Sequence, residues 1–192
     1  MKAKWEKDII LFITSQTISL LGSSLVQYAI MWYITLNTKS GTMMTISIIF
    51  SFLPTLFLSP FSGVWADRYD RKMIIILADL FIAVTTLLMA VLFMLGYGSI
   101  ELLFIMSALR AVGTGIQTPA VGAFIPQIVP EDKLTKVNGA NGSIQAVITL
   151  VSPMLSGALL TMSTLKAIFF IDVFTAAIAV FTLLLFLKVP AH

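Results

Sequence analysis

Three ionisable side chains stand where the surrounding sequence is apolar. Arg110 lies about ten residues into the run 100–128, near the middle of a span of that length, and Asp79 and Asp172 are the carboxylates set well inside such runs. Arginine keeps its proton in any protein setting, so an arginine placed there needs water, a carboxylate or a bound molecule to face. A carboxylate that pairs with an arginine and then loses it can release and take up a proton. The three residues therefore supply the parts of a proton-coupled device. Each aspartate also has a plainer reading: it lies within about two helical turns of the end of its run, close enough to be hydrated or to bond a neighbouring helix.

Other chemistries find little to work with. The sequence has no cysteine, and its single histidine, His192, is the last residue. That leaves no disulfide framework and no thiolate or histidine metal site. No nucleophile–base pair and no glycine-rich phosphate loop is present, so neither an enzyme nor a bound cofactor or metal is expected.

The elements that must carry these charges are set by composition. Of 192 residues, 58% are hydrophobic and 11% charged, against about 25% charged in a soluble domain, and the mean hydropathy is +1.00. Cutting at polar and glycine-rich breaks leaves six spans, at 9–36, 43–65, 73–95, 100–128, 138–162 and 167–187. Each is near or above the roughly 20 residues that cross the hydrocarbon layer as a helix. Stretches such as "MIIILADLFIAVTTLLMAVLFML" lack the alternation of a barrel strand. The sequence predicts an all-α membrane protein, a single six-helix bundle. The first apolar stretch runs too long for a signal peptide and lacks a small-residue cleavage site, so it reads as a retained first helix.

Six spans return the chain to the side on which it starts. One side then holds Lys2, Lys4, Lys7, Arg68, Arg71, Lys72, Lys133, Lys136 and Lys188; the other holds Lys39 and Lys166. Short loops rich in Lys and Arg stay cytoplasmic, which puts both termini inside a multi-pass protein of the cell membrane. Basic residues spread over separate loops point to anionic lipid rather than nucleic acid.

Two halves of the sequence share an order of features. "SPFSG" at 59–63 is followed by "DLFIA" at 79–83, and "SPMLSG" at 152–157 by "DVFTA" at 172–176. This reads as a degenerate three-helix repeat whose copies enter the membrane from opposite sides, the inverted arrangement of many secondary transporters. In the first span Gln16, Ser19, Ser23 and Gln27 recur on one helical face. In the fourth, Gln117 and Thr118 follow Arg110 and Gly113, and Pro119 and Gly122 are expected to interrupt the helix. The first helix of each triplet is thus expected to face a cavity and the third to face lipid, although Ser and Gln also serve as packing contacts between membrane helices.

Between the second and third spans lies "GVWADRYDRK", with five charged side chains in 67–72. Gly63, Asp67, Arg68, Arg71 and Lys72 match, in order, the loop signature of the major facilitator superfamily, and the chain resembles the N-terminal six-helix half of such a transporter, closest to the drug-efflux group that includes macrolide efflux proteins. Asp70 departs from the glycine usual there. Arg110 with Gly113 is similar to that family's fourth-helix motif, associated with proton coupling, and Pro153 and Gly157 to part of its fifth-helix antiporter motif, with Ser152 and Ser156 in place of glycines. The resemblance implies export of an amphipathic, macrolide-like substrate in exchange for protons by alternating access. It implies that Asp67 engages a second bundle, and that the loop arginines pair with acids after helix four, where Arg71 is the expected partner of Glu131 or Asp132. Gln16, Ser19, Ser23, Gln27 and Gln117 become candidate cavity residues. The sequence ends at "LFLKVPAH", where members of the family continue, so the expected partner is a missing C-terminal six-helix half or a second copy of this chain. The alternative is a six-helix fragment or partner-binding module without transport of its own.

Overall fold

The computed structural model describes residues 4–186, and among them six α-helices account for everything but short turns. Lys2, Lys188, His192 and the last residue of the sixth expected span lie outside the described residues. The helices are α1 (Lys4–Thr38), α2 (Gly41–Arg68), α3 (Arg71–Met94), α4 (Ile100–Ile128), α5 (Glu131–Met162) and α6 (Leu165–Phe186). Five are longer at one or both ends than their apolar spans, because polar residues such as Lys7, Arg68 and Glu131 extend the helices past the apolar stretch.

The turns are tight and capped. Ser40, Asp70 and Ser99 each accept a hydrogen bond from the backbone N–H three residues on, which satisfies one of the free donors at the start of α2, α3 and α4. Asp70, with φ −59°, needs no left-handed backbone; where the resemblance implies a glycine, it caps α3.

Short turns force consecutive helices to run antiparallel, yet the main packing is between helices that are not consecutive. The most extensive contacts are α2 with α4, α1 with α6, α3 with α4, α3 with α6, and α1 with α5. Exchange α1 with α4, α2 with α5 and α3 with α6, and this set maps onto itself. That is the signature of the repeat read from the sequence, and it places α3 against α6 at the junction of the two copies. Half of α3's most apolar stretch is buried, 50%, against 11% in α2 and 17% in α5. The third helices therefore do not simply face lipid, and the most open helices are the second of each triplet.

Two apolar clusters fill the bundle at different depths. One joins Phe12, Ile75, Phe124, Ile125 and Leu183, with the Phe12 and Phe124 rings 4.9 Å apart. The other joins Ile30, Met89, Phe93, Leu103 and Phe169, with Phe93 edge-on to Phe169 at 5.8 Å. Along α1, α3, α4 and α6, Gln16, Ser19, Ser23, Asp79, Arg110, Gln117 and Asp172 fall between these clusters, whereas Gln27 lies within the second.

Helix α4 runs unbroken through Pro119 and Gly122, contrary to the interruption expected there. Proline removes the N–H that would bond the carbonyl four residues back, here that of Gly115, and in a membrane an unpaired carbonyl is costly. The Ser62 hydroxyl on α2 donates to that carbonyl at 2.7 Å. A neighbouring helix supplies the bond, so the helix continues.

Candidate functional site

Asp79 and Asp172 are buried in the polar layer, each held by side chains from both α1 and α4. Asp79, on α3, accepts from Gln16 Nε2 at 3.2 Å, Ser19 Oγ at 2.7 Å and Gln117 Nε2 at 2.6 Å. Asp172, on α6, accepts from Ser23 Oγ at 2.8 Å, Thr86 Oγ1 at 2.8 Å and Arg110 NH1 at 2.5 Å. Arg110 also donates to Thr86 Oγ1 and, at 3.2 Å, to the Ser23 carbonyl; its Nε is buried with no hydrogen-bond partner among the described residues. Each aspartate thus bonds side chains of neighbouring helices, and Arg110 meets a carboxylate.

The two centres are built on one plan. Gln16 and Arg110 are 94 positions apart, as are Ser23 and Gln117. Gln16 of α1 binds the aspartate of α3, and Arg110 of α4 binds that of α6. Gln117 of α4 and Ser23 of α1 close the two centres from the opposite side. The repeat thus aligns the chemistry as well as the helices, with one change of consequence: a neutral amide stands where its twin is a cation. A charged pair out of water is worth keeping only where further hydrogen bonds complete it, and Ser23 and Thr86 do so.

Glycines allow the approach. A Cβ on Gly22 would lie 2.0 Å from Thr175 Oγ1 and 3.1 Å from the Asp172 Cα, and one on Gly113 would lie 2.5 Å from Ile82 Cγ1. The first brings α1 against α6 beside Asp172; the second brings α4 against α3 one turn from Asp79. Of the polar stripe on α1, Gln16, Ser19 and Ser23 are spent on the aspartates, while Gln27, half-buried, makes no side-chain hydrogen bond among the described residues.

The charged loop is a separate structure at the bundle's end. Arg71 donates to the Ala66 carbonyl at 2.8 Å, to the Ala123 carbonyl at 2.8 Å and to Asp67 at 3.3 Å. It is not paired with Glu131 or Asp132, as the resemblance implied, but turned toward backbone carbonyls of α2 and α4; both acids are exposed and Asp132 pairs with Lys133 at 2.9 Å. Arg68, the last residue of α2, is exposed, and Lys72 is half-buried. Asp67, though it touches Arg71, keeps 75% of its side chain exposed. Gly63 has open space around it, whereas Gly157 packs near Trp32, whose indole N–H donates to the Pro153 carbonyl at 3.1 Å.

A match to the model of the Major Facilitator Superfamily extends over residues 12–192. The chain belongs to that superfamily. It is similar to Macrolide efflux protein A of Streptococcus pyogenes, 35% identical over 178 residues that cover 93% of this chain and 44% of that protein. Macrolide efflux protein A of Enterococcus faecalis is 36% identical over 151 residues, 78% of this chain and 46% of the relative, and Multidrug resistance protein 1 of Bacillus subtilis 27% identical over 146 residues, 76% and 36%. The chain spans less than half the length of these relatives.

Within this superfamily member, sequence reasoning found the ionisable residues but missed Thr86, which receives Arg110 and gives to Asp172. Its one signal was a hydroxyl seven residues, about two turns, beyond Asp79 on an apolar helix. Gly22 was missed too, since a glycine's use shows only when the neighbouring helix is in place.

Proposed function

We propose that the chain is the N-terminal bundle of a proton-coupled secondary transporter that exports amphipathic, macrolide-like drugs by alternating access. The observation that carries the reading is the Arg110–Asp172 pair, both side chains buried, together with a second buried aspartate that has no cation of its own. A structural bundle gains little from such groups, since apolar residues of similar volume hold membrane helices as well or better. Similarity to proteins named for macrolide efflux supports the substrate class, and the excess of Lys and Arg at one end supports cytoplasmic termini.

Arginine does not give up its proton, so the exchangeable proton belongs to a carboxylate. A proton on Asp172 removes the counter-charge of Arg110. The arginine must then find another partner, and helices α1, α3, α4 and α6, which all meet at this pair, shift with it. Proton entry thereby biases the bundle between two arrangements, and substrate bound in one of them is released from the other. The open faces of α2 and α5 fit a second six-helix bundle, a C-terminal half or a second copy, with Asp67 placed to reach it across the loop.

The test uses the full-length gene product in everted membrane vesicles, with a macrolide such as erythromycin as probe. Arg110→Ala is expected to abolish drug-for-proton exchange while the protein still inserts and stays folded. Wild-type exchange in that variant would remove Arg110 from the mechanism, and loss of exchange in no variant of Arg110, Asp79 or Asp172 would end the proton-coupled reading. Cysteines in the Asp67 loop that crosslink symmetrically would identify a second copy as the partner.

A further inference from the structure

The two carboxamides that hold Asp79 also line a cavity. Gln16 and Gln117 form part of its wall, with Thr17, Thr118, Asn141 and Gln145 among the rest, and its volume is about 240 Å³. That is below the 300–1,000 Å³ of drug-sized sites, so it suits one polar arm of a larger molecule. A carboxamide has an NH2 that only donates and an oxygen that only accepts. An ionised carboxylate only accepts, so while Asp79 is an anion each glutamine must turn its NH2 toward it, and both do. Gln117 Oε1 then receives no hydrogen bond from the described residues, and Gln16 Oε1 receives a long one from Gln117 at 3.4 Å. What the pair has left to offer is acceptor oxygen.

Protonation reverses this. A neutral carboxyl carries an O–H that needs an acceptor, and a half-turn of either amide brings its oxygen to Asp79 and its NH2 away from it. We propose that Gln16 and Gln117 report the proton state of Asp79 to this cavity, which binds a hydrogen-bond-donating group of the substrate, an ammonium or a hydroxyl, when Asp79 is ionised and releases it when Asp79 takes a proton from water. The inference rests on the proton-coupled reading above. Asp79 is the group that can act so, because the charges facing it from the packed helices are Arg110 on α4 and Asp172 on α6, which are paired with each other. Helix α1 has no ionisable residue between Asp8 and Tyr28, α2 none between Lys39 and Asp67, and α5 none between Lys136 and Lys166.

Erythromycin binding to the purified full-length protein in lipid nanodiscs, measured against pH, tests the inference. In wild type, affinity is expected to fall on the acid side by about tenfold per pH unit, the slope for one linked proton. In Gln16→Met with Gln117→Met, which keeps the bulk and removes donors and acceptors, affinity is expected to be lower and to vary less than about twofold over the same range. Asp79→Asn, which always offers an N–H to the amides, is expected to bind weakly at every pH. A wild-type slope in the double variant overturns the inference and leaves proton-coupled export standing; absence of drug-for-proton exchange in wild-type vesicles overturns both. Should the double variant not fold, wild-type protein carrying ¹³C-labelled glutamine carbonyls answers the question by infrared difference spectroscopy. A glutamine carbonyl shift on acidification that disappears in Asp79→Asn is expected, and no shift overturns the inference.

Discussion

Asp79 and Asp172 occupy equivalent places in the two three-helix repeats, each gripped by side chains from both α1 and α4, but their surroundings do different work. Asp172 faces Arg110 and has its charge compensated; Asp79 is held by two amides and a hydroxyl. The difference teaches that a repeat can keep a scaffold for a buried carboxylate while one position, amide or guanidinium, decides whether that carboxylate faces a cation or is held by neutral groups alone. Removing one member of a buried pair leaves the other uncompensated, at a cost of about 3–5 kcal/mol. Asp172→Ala is therefore expected to destabilise the protein by that amount in equilibrium unfolding in mixed micelles, while Arg110→Met combined with Asp172→Leu recovers most of it. Asp79→Ala strands neutral groups and is expected to cost less, about 1–3 kcal/mol. Equal losses at the two aspartates would erase the distinction.

The same comparison extends to the second helix of each triplet. Ser62 on α2 donates to the Gly115 carbonyl of α4 at 2.7 Å, and Ser156 on α5 to the Leu25 carbonyl of α1 at 2.8 Å; the two serines are 94 positions apart. They are twins in geometry, but Gly115 has lost its own helical donor to Pro119, whereas residue 29, four beyond Leu25, is an alanine with its N–H intact. Ser62→Ala leaves a buried carbonyl unpaired and is expected to cost about 1–3 kcal/mol, and Ser156→Ala about 0.5–1.5 kcal/mol. A second substitution sharpens this: Pro119→Ala restores the N–H, so that Ser62→Ala in that background becomes as mild as Ser156→Ala.

How much of this could be read from the sequence follows from the range of each interaction. Apolar runs and short breaks are local, so the number of helices was legible, as was the repeat, because "SPFSG" and "SPMLSG" keep their order. Arg110, Asp79 and Asp172 were legible as a set, because charge inside an apolar run is rare enough to need a partner. Which aspartate takes the arginine was not, since the choice depends on the order in which helices sit around the axis. The alignment of Gln16 with Arg110 carries that information once the register of the repeat is known. Pro119 misled for a related reason: its local rule predicts a break, and the remedy comes from Ser62, 57 positions earlier. Arg71 was assigned to Glu131 or Asp132 by resemblance, while two of its donors go to backbone carbonyls of α2 and α4, which are invisible to any side-chain pattern.

The loops between the second and third helix of each triplet give the finest form of the comparison. Tyr69 and Ser163 close α2 and α5 by donating their backbone N–H to Trp65 and Leu159, and Asp70 and Thr164 accept from the backbone N–H three residues on to start α3 and α6. All four pairings keep the spacing of 94. At the same spacing Lys72 faces Lys166, but Asp67, Arg68 and Arg71 face Thr161, Met162 and Leu165, so the turn closes in the other copy without these three charges. The two kinds of acid in this loop should then part under substitution. Asp70→Ala loses a cap and is expected to cost about 1 kcal/mol, recovered by Asp70→Thr, the residue of the other copy. Asp67→Asn, at an exposed residue paired with Arg71, is expected to change folding stability by less than about 1 kcal/mol yet to slow export in vesicles of the full-length protein. An Asp67→Asn variant with wild-type export would make the loop's charges a matter of topology alone, and the turn would then have no more to do with transport than its twin, where a threonine stands in place of Asp67.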